Sequence, residues 1–410
     1  MLPRTSSHCH EEKRDLCFRL LQHQEDIRNV MIPYGRQHIT EADIAAVSEV
    51  LRSDFLTQGP AVAAFEQAFA SYVGADHAIA CSNGTAALHL CTMALGLEPG
   101  QKVITTPITF AASANCVRYC GAEVVFADVD PTTALLDVDH VRTLLESNPA
   151  GTFAGIIPVD FAGLPVDLEA FRSLAHEHGC WIIEDACHSP GGFFTDSKGV
   201  RQPCGNGAFA DAAIFSFHPV KHIACGEGGM VTTNHTELAD AIRLLRTHGI
   251  TKDPDRLCAA HGGWYYEMQK LGYNYRLSDI QAALGSAQLL RADAGIQRRS
   301  AIAERYHEAF ADTPVGFLSP PVDDGHAYHL FVVLVDDRPG LYQFLREQQI
   351  FAQVHYIPVH TMPYYQGLGS VTSLPQAEGY YQRCLSLPMY PSLTDTEQEF
   401  VIKKIREYCQ

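Results

Sequence analysis

The sequence predicts an α/β protein: a mostly parallel sheet sandwiched by helices, followed by a smaller C-terminal α+β domain. Three observations lead to that expectation. Between residues 77 and 234, short apolar runs alternate with amphipathic ones. The short runs are apolar throughout rather than at every second residue, as strands buried on both faces must be. After about residue 250 the alternation stops, and the tail from about 295 mixes helices with isolated strands.

The elements follow in order. ITEADIAAVSEVLRS has a cap-like Thr40 and helical apolar spacing at Ile44, Val47, Val50 and Leu51. DFLTQGP (54–60) is a loop, and a helix spans about 61–73. HAIAC (77–81) is a strand and NGTAALHLCTMAL (83–95) a helix. Strands are expected at 102–106, 123–130, 153–160, 180–185, 211–217 and 229–234. Helices at 110–120, 138–147 and 168–179 separate the earlier ones. Residues 252–279 are loop-rich, and helices follow at 278–292 and 296–311. The tail reads as a strand (327–336), a helix (341–350), an extended piece (353–358) and a closing helix (394–409). The expected division is an extension (1–30), a large domain (31–295) and a small domain (296–410).

The formal net charge is −17. Such an excess repels phosphate backbones and argues against a nucleic-acid partner, yet a local nest of amides can still hold a small phosphorylated ligand. The thirteen cysteines are odd in number and form no CxxC pair, which points to reduced thiols and a cytoplasmic protein. No stretch of eighteen apolar residues exists, so no membrane span is expected. Residues 1–30 lack the apolar core of a signal peptide and read as a disordered or weakly helical leader. His8, Cys9, His10 and Cys17 could bind a metal, but four-ligand spacing is absent and no metal is expected.

Four stretches could carry chemistry. In NGTAAL (83–88) a helix begins after a strand. Its first amides, near Gly84 and Thr85, are unpaired and suit a phosphate, although an ordinary βα turn looks the same. In IIEDACHSPGG (182–192) Asp185 stands at a strand's carboxyl end, where open α/β sheets bind ligands. Its carboxylate could hold a cationic ring nitrogen and His188 a neighbouring oxygen; alternatively Asp185 caps a helix and His188 is a core histidine. Phe110 in TTPITFAASAN could lie flat on a planar ligand, or be core. In SFHPVKHIACGEGG (216–229) Lys221 has apolar neighbours and a glycine-rich turn, and Ser216 could donate to a phosphate. A desolvated lysine forms Schiff bases, whereas most lysines are simply solvated. A phosphate-type helix start, an aromatic plate, a strand-end Asp and a lysine in a tight turn together describe pyridoxal 5'-phosphate.

FLTQGP, SNGTAALHL, TFAASANC, IIEDACHSPGG, SFHPVKHIACGEGGM and LGYNYRLSDIQAALG, in that order, resemble the DegT/DnrJ/StrS group of pyridoxal phosphate-dependent sugar aminotransferases. The resemblance runs from about Met31 to the end and implies the fold-type I architecture, a homodimer with shared active sites, and L-glutamate as amino donor. It implies that Lys221 carries the cofactor imine and shuttles the proton. Asp185 would pair with the pyridine nitrogen, which makes these two the catalytic residues. His188 would sit near the phenolic oxygen, Phe110 would stack on the ring, and Gly84, Thr85 and Ser216 would bind the phosphate. Asn274 would reach the phosphate of the neighbouring subunit, and Arg276 is structural or lines the sugar pocket. MIPYGRQHI, SDFLTQGP, HGITKD and QVHYIPVH narrow the resemblance to the branch that aminates UDP-linked 4-keto-6-deoxy sugars for pseudaminic acid. On that branch Tyr34, Asp54, Phe55, Leu56, Thr57, His355 and Tyr356 would face the nucleotide sugar.

The chain departs from the family pattern in three places. The leader has no counterpart, Cys225 stands where threonine is common, and DFAG (160–163) replaces a more usual histidine-rich version. Two further readings stand beside the aminotransferase. A sugar dehydratase of the same fold would carry histidine in place of Lys221, and a non-catalytic cofactor-binding regulator would need a DNA-binding module.

Overall fold

The computed structural model describes residues 31–259, 261–318, 325–369 and 373–410. His8, Cys9, His10 and Cys17, and the leader as a whole, lie outside the described residues. Seven strands form the central sheet: β1 (His77–Cys81), β2 (Lys102–Thr105), β3 (Glu123–Phe126), β4 (Phe153–Ile157), β5 (Trp181–Asp185), β6 (Ala212–Ser216) and β7 (Gly229–Thr233). Their spatial order is β1-β7-β6-β5-β4-β2-β3. Every neighbouring pair is parallel except the two made by β7, which runs antiparallel to both β1 and β6. The segment from β6 to β7 therefore turns back on itself beyond the carboxyl ends of the parallel strands, and Lys221 lies in it.

Helices cover the sheet: α1 (Glu41–Arg52), α2 (Pro60–Val73), α3 (Gly84–Ala94), α4 (Ala112–Tyr119), α5 (Val138–Glu146), α6 (Leu168–His178), α7 (Thr236–Leu245) and α8 (Asp279–Leu289). Strands such as β6 and β7 are buried at almost every position, because helices pack on both faces. Thr40 and Asp43 form the cap of α1, as ITEADI predicts. The apolar stripe of α1 is not buried, however: Ile44 and Leu51 are exposed.

The long helix α9 (Ala292–Phe310) carries the chain from one core to the next. Ala292 packs with Phe65, Phe69 and Phe215, while Ile302, Tyr306 and Phe310 belong to a separate core with Phe331, Val333, Leu385, Val401 and Ile405. Ile32, at the other end of the described chain, joins that second core through a parallel pairing with Ile350. Three strands, β8 (Gly316–Phe317), β9 (Phe331–Leu334) and β10 (Cys384–Leu387), pack with α10 (Arg338–Glu347), α11 (Pro375–Arg383) and α12 (Asp395–Tyr408).

Several boundaries differ from the sequence reading. The strand expected at 327–336 is shortened to Phe331–Leu334. The carbonyls of Ala327, Tyr328 and His329 are taken by His222 and Arg299 side chains, and Tyr328 has φ 48°, so these residues cannot join a ladder. The helix expected at 341–350 begins three residues earlier, because Asp337 caps it through the amide of Gly340. The extended piece at 353–358 makes only an isolated bridge between Gln353 and Ser386. Helix α7, strand β10 and a hairpin between Phe193–Thr195 and Arg201–Pro203 are additions that the sequence reading leaves unassigned.

Candidate active site

Asp185 is the last residue of β5 and is 4% exposed. No helix follows it, so the helix-cap reading does not apply. Its Oδ2 accepts a hydrogen bond from Ser113 Oγ at 2.7 Å, and its Oδ1 accepts from the Cys187 amide at 3.2 Å. Two of the roughly four acceptor sites of an ionised carboxylate are thus used.

The start of α3 lies beside the end of β6. Asn83 caps the helix, its side chain accepting from the Ala86 amide at 2.8 Å. A Cβ on Gly84 would sit 3.0 Å from Ser216 Cβ and 3.4 Å from Cys187 Sγ. A Cβ on Gly229 would sit 2.4 Å from the Asn83 carbonyl. Gly229 is required for the first residue of β7 to close on the helix start, and Gly84 leaves Ser216 room to pack tightly beside it. The result brings the amide end of a helix and a serine hydroxyl to one place, an arrangement suited to an anion.

Lys221 is half-buried in the turn between β6 and β7. Phe217 bonds Gly228 and Cys225 across that turn, and Gly226 takes φ 82°. Burial holds the Lys221 amine below its usual range; Cys187 and Asp185 oppose the shift, and the Arg299 cation adds to it. Arg299 is itself buried and donates to the carbonyls of Tyr328, His329 and Met389. Imidazoles crowd the same space. His188 and His329 have ring centroids 4.3 Å apart, and His222 lies 5.7 Å from His329. Burial first, then the Lys221 cation and neighbouring histidines, keeps His188 and His329 well below the ordinary histidine range. His188 Nε2 lies 3.2 Å from the Tyr356 hydroxyl, while its buried Nδ1 has no partner.

The sequence-derived residues fall into two groups. Gly84, Asp185, His188, Ser216 and Lys221 converge as described, Thr85 is the half-buried second residue of α3, and His355 and Tyr356 join them from the chain beyond α9. Tyr34 packs on His355 at 5.0 Å between ring centroids, and Gly35 approaches Val220 of the lysine turn. Phe110 is 65% exposed and therefore not core; its carbonyl lies one turn before Ser113. Asp54, Phe55, Leu56 and Thr57 are exposed on a loop that meets the segment before α8, through the Asp279 amide on Leu56 O and a Thr57–Ser278 bridge. Asn274 in that segment is exposed and bridges Thr247, and the neighbouring Tyr275 carbonyl accepts from the Ser82 amide. Within one chain, no hydrogen bond joins Asn274 or residues 54–57 to Lys221 or Asp185.

Sequence reasoning missed Ser113, Arg299 and His329. Ser113 carried a signal: it is a polar residue among the buried positions Ala112, Ala114, Cys116 and Val117 of α4. Arg299 carried none, since one arginine in a charged helix reads as solvated.

Asp160, Glu184 of β5 and Cys204 are all buried, with ligand atoms within 4.8 Å of one another. The Ser189 hydroxyl donates to Asp160 Oδ2 at 2.5 Å, and the Val166 and Gly205 amides serve Asp160 and Glu184. Burial raises Asp160 to about 6, and burial with the Asp160 charge raises Glu184 well above the usual carboxyl range. Two carboxyls so placed resist ionising together.

The sequence profile described as the DegT/DnrJ/EryC1/StrS aminotransferase family matches residues 37–406. The spore coat polysaccharide biosynthesis protein SpsC of Bacillus subtilis (strain 168) is 41% identical over 391 residues, 93% of this chain and 97% of SpsC. Among solved structures, Helicobacter pylori PseC, an aminotransferase involved in the biosynthesis of pseudoaminic acid, superposes with a TM-score of 0.84 at 31% identity, covering 93% of this chain and 99% of PseC. The PLP-form of the putative sugar aminotransferase Spr1654 from Streptococcus pneumoniae superposes with a TM-score of 0.83 at 28% identity, covering 92% and 98%.

Proposed function

This chain belongs to the DegT/DnrJ/EryC1/StrS aminotransferase family, and from that premise we propose that it moves an amino group from L-glutamate to C4 of a UDP-linked 4-keto-6-deoxy sugar. The substrate we assign is UDP-2-acetamido-2,6-dideoxy-β-L-arabino-hex-4-ulose, and the product is UDP-4-amino-4,6-dideoxy-N-acetyl-β-L-altrosamine. The likeness to PseC supports this choice. A second reading, amination of another UDP- or dTDP-keto sugar, is favoured by the 41% identity to SpsC.

The family cofactor is pyridoxal 5'-phosphate, and the fold is that of the PLP-dependent sugar aminotransferases. The residues present fit it. His188 keeps a buried Nδ1 without a partner, and Asp185 keeps acceptor sites free. A Cβ at Gly84 or Gly229 would fill the cradle at the start of α3. When bound, the cofactor supplies an electron sink for negative charge at the carbon losing its proton. Gly84, Thr85 and Ser216 would hold its phosphate, Asp185 its ring nitrogen, His188 its phenolic oxygen, and Phe110 one ring face. Asn274 would serve the phosphate in the partner subunit of a homodimer.

The Lys221 amine, held below its usual range by burial, gives up its proton readily. Its Nζ acts as base and then acid at the reacting carbons in each half of the reaction. The Asp185 carboxylate, tied by Ser113 and Cys187, stabilises positive charge on the cofactor ring. Tyr34, Asp54 to Thr57, His355 and Tyr356 would orient the nucleotide sugar. We assign residues 31–295 to the cofactor-binding domain, 296–410 to the small domain, and the protein to the cytoplasm. No helix among the described residues is long and apolar enough to cross a membrane.

The observation that carries the reading is the meeting of a desolvated Lys221 with an anchored Asp185 beyond the carboxyl ends of β5 and β6. The test is spectroscopic, then preparative. Purified protein should be yellow and should bleach on addition of L-glutamate, and incubation with a panel of UDP- and dTDP-4-keto sugars should give one amino sugar by mass. Colourless protein after incubation with pyridoxal phosphate would remove the reading. Colour without bleaching would favour a dehydratase, a regulator or another donor.

A further inference from the structure

We propose that Ser113, backed by Thr109, is a positioning residue that fixes the Asp185 carboxylate for the cofactor's ring nitrogen; this rests on the aminotransferase reading above. Ser113 is 1% exposed on α4, and its Oγ lies 2.7 Å from Asp185 Oδ2 and 2.8 Å from Thr109 Oγ1. An ionised carboxylate only accepts, so the single Ser113 proton points to Asp185. The Ser113 oxygen then accepts from Thr109, whose hydroxyl must be the donor. A longer contact of 3.4 Å from Ser113 Oγ to the Phe110 carbonyl competes poorly with a charged acceptor.

The chain of donors therefore runs one way, from Thr109 through Ser113 to Asp185. Each hydroxyl is buried, which excludes water as a substitute donor. The Cys187 amide occupies the other carboxylate oxygen at 3.2 Å. With one donor on each oxygen, rotation of the carboxylate plane, otherwise broad, is stopped. The acceptor sites left over are then held in one direction before the cofactor arrives, so less ordering is needed on binding. Phe110 stands just before α4, and its carbonyl accepts from the Ser113 amide at 3.3 Å, so the aromatic proposed for the ring face and the donor that fixes Asp185 are tied through the backbone.

The test compares wild type, S113A, S113T and T109V after reconstitution with pyridoxal phosphate. Loss of a charge-assisted hydrogen bond predicts that S113A binds the cofactor about 10- to 100-fold more weakly and slows the glutamate half-reaction by a similar factor. The visible absorbance maximum of the bound cofactor should shift, a change that a loss of stability alone would not produce. S113T, which keeps the hydroxyl, should restore affinity, spectrum and rate. T109V should move all three in the same direction as S113A by a smaller factor. S113A with wild-type affinity and spectrum, or S113T as impaired as S113A, would overturn the inference. If S113A does not fold, T109V decides: an unchanged affinity and spectrum overturns it. A wild type that binds no pyridoxal phosphate would overturn the aminotransferase reading and this inference with it.

Discussion

The Tyr356 hydroxyl lies 3.2 Å from Nε2 of His188, across 168 residues of sequence. His188 lies three residues beyond the end of β5, whereas Tyr356 comes from the chain beyond α9. Tyr356 also packs beside Phe161, and the Tyr380 hydroxyl donates to the neighbouring His355 carbonyl at 2.7 Å. This contact is where the part of the chain assigned to the sugar touches the part assigned to the cofactor.

Tyr356→Phe removes only that hydroxyl. Loss of one neutral hydrogen bond predicts about a fivefold drop in kcat/KM for the keto sugar. The glutamate half-reaction should stay within about twofold. Steady-state and single-turnover kinetics separate the two. An equal loss in both halves would argue that Tyr356 serves the cofactor and not the sugar.

Lys221→Ala and Lys221→Arg should abolish turnover, read as 2-oxoglutarate formed from glutamate. Each variant should also lose the imine absorbance on reconstitution. Residual transamination by either purified variant would remove Lys221 from its role.

Asp185→Ala removes the carboxylate from an electrostatic site. Both half-reactions should fall by about 100- to 1000-fold, the usual loss for such a group. Stopped-flow spectra with glutamate, and separately with the keto sugar, provide the measurement. Near-normal rates would remove the electron-sink partner.

The buried pair Asp160 and Glu184 predicts a pH-dependent stability. Asp160 stands at about 6 in the folded chain against its ordinary 3.8, so the folded state binds the extra proton. Its contribution is fully present below the unfolded value and is lost as pH rises through about 6. Thermal melting across that window should show stability falling with pH. Asp160→Asn, which cannot ionise, should flatten the slope; an unchanged slope would place the titration elsewhere.

Gly229→Ala tests the close approach of β7 to the start of α3. Its Cβ would lie 2.4 Å from the Asn83 carbonyl, which is backbone and cannot swing aside. Forced overpacking of this kind costs about 1–3 kcal/mol. A lower melting temperature together with weaker cofactor retention is expected, whereas a lower melting temperature alone would separate the packing from the phosphate site.

The seven central strands were legible because each is a short apolar run bounded by polar turns, as in CWIIED and DAAIFSF. The strand expected over 327–336 was legible too, but its start was not, since an apolar run is silent about which carbonyls a distant Arg299 will take. Asp185 and Lys221 were legible from their places at strand ends and turns. Ser113 was not singled out, because its partner lies 72 residues away at the end of β5.

The sequence by itself determined the alternating order of strands and helices, the glycine-rich turn around Lys221 and the strand-end position of Asp185. Local patterns decide these: hydrophobic period, caps and turn residues act over a few positions. Only the tertiary structure decided which side chains meet. The tie of Ser113 to Asp185, the tie of Tyr356 to His188, the burial of Arg299 beside Lys221 and the close approach of Asp160 to Glu184 all depend on the order of strands in space. The antiparallel insertion of β7 between β1 and β6 folds the lysine turn back to the start of α3. No local preference contains that pairing, because it is settled by which strands can bury their apolar faces together.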